Sequence, residues 1–129
     1  MGFDLYVGAR TRDLQNDSHA RFKVKKDGAG ILSFSNNGIA KIKELHLPYK
    51  IGDKVELHID KESNAIAFKK CDSEFSVNLT RYGRVDSTRF QINSKNLATN
   101  KLVKEGNYEI EEPRKSESQY DFILYLIDS

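Results

Sequence analysis

The chain lacks most of the features that would assign it quickly. It has no tryptophan, one methionine, two prolines and a single cysteine in 129 residues. The lone Cys71 excludes an intrachain disulfide framework and points to a reducing compartment. No basic segment followed by a long apolar stretch opens the sequence, so no secretory signal is expected. Met1-Gly2 is not followed by Ser or Thr at position 6, where Tyr6 stands, which argues against myristoylation. The longest apolar run, Phe122 to Ile127, is six residues, against roughly 20 for a membrane-spanning helix. A cytoplasmic protein without a membrane partner is the expectation. Charge of one sign is also missing: 21 basic residues face 19 acidic ones, a formal +2. Any electrostatic partner must therefore be met by local clustering rather than by overall charge.

What is present is a globular composition, 38% hydrophobic and 31% charged, with seven Phe and six Tyr as bulky core material. The length suits one domain over residues 1–129 with one core. Lys50 to Asp60 sets the pattern. A Gly52-Asp53 turn leads into a strand whose Val55, Leu57 and Ile59 share one face, and Lys61 to Asn64 return the chain into Ala65 to Lys70. Period-two alternation bounded by turn residues predicts a half-buried hairpin.

The same order recurs along the chain. Phe3 to Val7 reads as a strand and residues 8–20 as a polar extension. Phe22 to Lys26 alternates, with Phe22 and Val24 inward and Arg21, Lys23 and Lys25 outward. Asp27-Gly28 is a hairpin turn signal, and Gly30 to Phe34 the returning strand. Asn36-Asn37 are placed to cap a short helix through Ile39, Ile42 and Leu45, ended by Pro48. A second set follows. Phe75 to Leu79 is a strand, Arg81 to Gly83 a turn, Arg84-Val85 and Phe90 to Ile92 the return. Ser94 caps a helix through Leu97, Ala98 and Leu102, and Gly106 introduces two strands ending in Phe122 to Ile127. Phe22 to Phe75, Val24 to Val77 and Gly30 to Gly83 share one offset. The fold expected is mainly β with short helices, an α+β β-barrel. Residues 21–72 and 73–129 form two interleaved β-β-α-β-β modules of one pseudo-symmetric barrel, because neither half alone holds a comfortable core.

These modules resemble the AbrB/MazE/MraZ group of swapped-hairpin β-barrels, over residues 21–127. The residues that carry the resemblance are the turns Asp27 to Ile31 and Thr80 to Arg84, and the strand openings Gly52-Asp53-Lys54-Val55 and Gly106-Asn107-Tyr108. The group's turn Arg is replaced by Ile31 in the first copy and its Asp by Thr80 in the second. Two copies in one chain look most like the MraZ arrangement. The resemblance implies a DNA-binding protein acting as a transcriptional regulator.

Basic residues support that reading at two places. Arg10, Arg12, Lys23, Lys25 and Lys26, with Arg21 beside them, gather in the first fifth of the chain, and Arg81, Arg84 and Arg89 at the matching hairpin of the second module. These are the candidate contacts to double-stranded DNA, phosphates for most and base edges for Arg81 or Arg84. The alternative is a protein-binding module or small inhibitor on the same barrel, and self-association into a homo-oligomer is compatible with either. Catalysis finds no motif. His19, His46 and His58 are scattered, Cys71 has no second thiol, and Glu109 and Glu111 alternate outward as a solvated edge. A Cys71 pair with His46 or His58 requires proximity that spacing alone does not establish. No phosphate-cradling glycine loop is present, so neither enzyme activity nor a metal or cofactor is expected.

Overall fold

A computed structural model describes residues 18–94 and 103–128. The expected strand Phe3 to Val7, the candidates Arg10 and Arg12, and the helix expected through Leu97 to Leu102 lie outside the described residues. The first hairpin joins β1 (Ala20–Val24) and β2 (Gly30–Phe34). Its turn forms because Gly28 adopts φ +91° and the Asp27 carboxylate accepts the Ala29 N–H at 3.0 Å. Phe22 points inward as expected, but Val24 is 37% exposed. The reason is register. β1 pairs with a later strand only as far as Phe22, so Val24 stands at the mouth beyond the last pair.

Helix α1 (Asn36–Glu44) is capped by Ser35 rather than by Asn36 or Asn37. The Ser35 hydroxyl accepts the Gly38 N–H at 3.0 Å and donates to the Ser18 carbonyl at 2.6 Å. The Ser35 side chain thus caps the helix and ties it to the segment that leads into β1. Ile39 and Ile42 are buried, and Lys41 and Lys43 complement the dipole in the last turn. His46 takes φ +60°, the left-handed residue that commonly follows a helix end.

Strands β3 (Lys54–Asp60) and β4 (Ala65–Lys70) form the hairpin expected from their alternation. Val55 is fully buried, and Leu57 and Ile59 pack partly buried against the core. The second module departs more. Phe75 is 76% exposed rather than inward. Ser76 Oγ donates to the Cys71 carbonyl at 2.6 Å and accepts the Ser73 N–H at 3.0 Å, curling residues 71–76 into a local turn that competes with extension. Regular pairing starts only at β5 (Val77–Asn78) and resumes at β6 (Thr80–Arg81). Leu79, between them, fills the buried place expected of Phe75. Arg84 and Val85 do not begin the return strand. They belong to a loop, Val85 being 89% exposed, and β7 is Phe90–Ser94. β8 (Gly106–Glu111) and β9 (Phe122–Asp128) complete the described chain.

All pairings are antiparallel, in the order β5-β3-β4-β9-β8-β1-β2-β7-β6. The two edges of that order are consecutive in sequence. β5 pairs with β3, β6 with β7, and the kink at Leu79 is fixed by its N–H to Asp53 O (2.9 Å) and by Gly52 N–H to its carbonyl (2.7 Å). One bent strand therefore nearly closes the barrel. Exchanging the modules preserves the pairing: β1–β2 becomes β6–β7, β1–β8 becomes β5–β3, β3–β4 becomes β8–β9, and β2–β7 and β4–β9 map onto themselves. The halves interleave, each contributing strands to the other.

The core lies inside this barrel and belongs to both halves. Phe68 and Phe122, opposite each other on β4 and β9, stack at 4.5 Å, and Phe34 meets Phe90 at 4.9 Å and Phe68 edge-on at 5.6 Å. No helix among the described residues is long and apolar enough to cross a membrane.

Candidate nucleic-acid interface

Directly opposed residues on paired strands share a face. With Phe22, Leu32 and Ile92 turned inward, one outward row runs Asn107–Arg21–Ser33–Gln91–Thr80 across β8, β1, β2, β7 and β6. The next row is Lys23–Ile31–Asn93. The β2–β7 ladder is what makes this one surface. It joins the β1–β2 hairpin to the β6–β7 hairpin side by side, from Gly30 opposite Ser94 to Ser33 opposite Gln91. Because β2 and β7 run antiparallel, the two turns project from opposite ends of the face. At about 3.4 Å per residue the tips stand on the order of 25 Å apart.

The candidates from sequence divide over this frame. Lys23 lies on the outward face, and Lys25 and Lys26 are exposed at the first turn. Lys25 Nζ is 4.0 Å from the Asp27 carboxylate, a loose and solvated pair. Arg84 is exposed in the second loop, and the Arg89 guanidinium lies over the Tyr82 ring at 4.7 Å. Arg81 does not join them. It pairs with inward Phe90, so its side chain leaves the opposite face, where Nη1 donates to Ser87 O at 2.7 Å.

Arg81 reaches a cleft of about 400 Å³ between α1, the segment Tyr49 to Ile51, and the β6–β7 loop. Ile39, Ile42, Tyr49, Ile51 and Phe90 form its apolar part, and Lys43, Lys50, Arg81, Asp86, Ser87 and Thr88 its polar rim. The Tyr49 hydroxyl donates to Asp121 Oδ2 at 2.6 Å, and burial followed by that carboxylate pushes the phenol well above its ordinary pKa. It stays a neutral donor.

Comparison with protein-family models, curated proteins and solved structures finds no match.

Residues missed in sequence reasoning are the amides and hydroxyls of Ser33, Thr80, Gln91 and Asn93, and the pair Lys43 and Lys50. Alternation places Arg21 outward, but only the register between strands reveals the rows. No local signal marks the cleft, whose elements lie far apart in sequence.

The remaining polar cluster is built around Glu56. Ser73 Oγ donates to its Oε2 at 2.6 Å and His58 Nε2 lies 3.0 Å from its Oε1. With the Cys71 thiol as a third partner, these hold the Glu56 carboxyl down at about 2 from an ordinary 4.5. His58 and the Cys71 thiol both bear on this carboxylate, and Cys71 Sγ also lies 3.8 Å from Ser76 Oγ. Among the described residues no cluster of three or more His, Cys, Asp or Glu side chains is placed to hold a metal. The role of Glu56 is to pin the 71–76 turn to β3. A depressed carboxyl pKa stabilises the fold above the ordinary value, and the contribution fades as pH falls from about 4.5 towards about 2. Urea unfolding of wild type and Glu56→Gln should show a stability gap at pH 6 that closes as pH approaches 2. A gap independent of pH would place the role of Glu56 in packing instead.

Proposed function

We propose that the outward face of β1, β2, β7 and β6, with its two basic turns, binds double-stranded DNA, and that the protein acts as a cytoplasmic transcriptional regulator. The observation that carries this is the β2–β7 ladder, which sets Arg21 and Lys23 on one continuous face between turns bearing Lys25, Lys26, Arg84 and Arg89. The cations supply phosphate contacts that fix register on the duplex. Gln91 and Asn93, between them, have the amide geometry that reads adenine in the major groove. The resemblance to swapped-hairpin regulators adds weight to the same surface.

The test is an anisotropy titration with a labelled duplex. Arg21→Gln with Lys23→Gln should weaken binding about tenfold and lower the salt slope by about 2, because each lost phosphate contact removes roughly one unit. Lys61→Gln with Lys69→Gln, on the β3–β4 hairpin, should change nothing. Equal effects from both pairs would reduce the interaction to general charge.

A second reading, a protein-binding module on the same barrel, is favoured by the bulky apolar side chains of Phe75 and Val85, which are 76% and 89% exposed in loops. Under that reading Val85→Ser abolishes capture of a partner and leaves duplex DNA unbound in wild type as well.

A further inference from the structure

The cleft behind the β6–β7 hairpin is not needed for DNA contact, yet its lining is that of a site. We propose that it binds a small amphiphilic organic anion, with a carboxylate, sulfonate or phosphate head on a flat apolar body. The head is met by Lys43 from α1, Lys50 from the connector and Arg81 from β6. These three come from separate elements, and among the described residues none is ion-paired. Their neighbours contrast with them: Lys41 is paired with Glu44 at 3.4 Å, and Lys70 with Asp53 at 3.2 Å. Asp86 is the one carboxylate on the rim, so the cations outnumber it.

The Arg81 guanidinium is also oriented in advance. Its bond to Ser87 O fixes one N–H and leaves the rest of the fork for an oxyanion. The apolar body lies against the apolar part of the lining, where Tyr49 and Ile51 are partly exposed and Ile42 and Phe90 are buried. A volume of about 400 Å³ admits one small ligand, near the lower end of the range of about 300–1,000 Å³ for ligand pockets. That size, together with the joint apolar and cationic lining, selects a small molecule over an extended chain.

The probe is 8-anilinonaphthalene-1-sulfonate, titrated into the full chain under native conditions and followed by dye fluorescence and by amide chemical shifts. One saturable site is expected, with shifts confined to residues 39–51 and 81–90. Lys43→Gln with Arg81→Gln should weaken it about tenfold or more, since both remove charge-assisted hydrogen bonds to the head. Lys50→Gln alone should weaken it less, and serves as the second variant if the double substitution perturbs the fold. Lys23→Gln, on the opposite face, should leave it unchanged. Neutral 1-naphthylamine and inorganic phosphate, each carrying half of the chemistry, should both compete poorly. Dye binding unaffected by the cleft variants, shifts spread over the barrel, or phosphate competing as well as the dye would each overturn the assignment. No DNA enters the experiment, so its outcome is separate from that of the interface on the other face.

Discussion

Phe34→Ala is expected to destabilise the protein by about 3–5 kcal/mol, the range for emptying a packed phenylalanine site. Phe34 has no exposed surface, and its ring touches Phe68, Phe90 and Phe122, residues from both modules. Removing it leaves a cavity bounded by three rings that are themselves held by cross-strand pairing, so the site cannot collapse to fill it. Small domains have a total stability of about 5–15 kcal/mol, which makes this loss a large fraction of the whole. Because the ring bridges the modules, unfolding should remain a single transition. Urea denaturation checks both points, with Val85→Ser as the comparison, expected within about 0.5 kcal/mol because Val85 is 89% exposed. A loss below about 1 kcal/mol for Phe34→Ala, or two separate transitions, would contradict a shared core.

The second large effect is expected at Gly38. In an exposed helix, replacing glycine by alanine gains about 1 kcal/mol of propensity. Here a Cβ would overlap the His19 carbonyl oxygen outright and sit 3.0 Å from its carbon. That carbonyl cannot retreat freely. It accepts the Ser35 N–H at 3.0 Å, while His19 N–H donates to Tyr108 O at 3.0 Å and His19 Nδ1 accepts the Ile110 N–H at 2.8 Å. Overpacking against fixed backbone costs about 3 kcal/mol at the upper end of its usual range, so the clash wins. Gly38→Ala should lose about 2 kcal/mol net, and Gly38→Val more. A stabilised Gly38→Ala in the same urea assay would mean that α1 stands further from β1 than the geometry has it.

These two residues also mark what the sequence could and could not reveal. The alternation of Gly30 to Phe34 and of Val55, Leu57 and Ile59 is local, and strands β2, β3 and β4 follow from it. The recurrence of that pattern, with Gly52 and Gly106 opening matching strands, carried the barrel and its interleaving. Gly38 offered no such signal, because its need for a bare Cα comes from a carbonyl nineteen residues earlier. Phe75 misled for a related reason. Its spacing copies Phe22, but Ser73 and Ser76 satisfy the backbone locally and shift the buried place to Leu79. That shift matters for the site. The register it sets turns Thr80 to the outward row and Arg81 to the opposite side of the strand, still exposed, so Arg81 belongs to the cleft and not with Lys23. The hairpin cations were visible in sequence as clusters; their division between two faces depends on strand partners that only the fold supplies.

The most direct measurement is the affinity of the full chain for random duplex DNA between about 50 and 200 mM salt, the range over which phosphate contacts are strongly attenuated. With about five side chains of the outward face and its turns on phosphates, log affinity should fall against log salt with a slope of roughly −4 to −5. A slope near zero, or no binding at the lower salt, would contradict the assignment of this face to DNA.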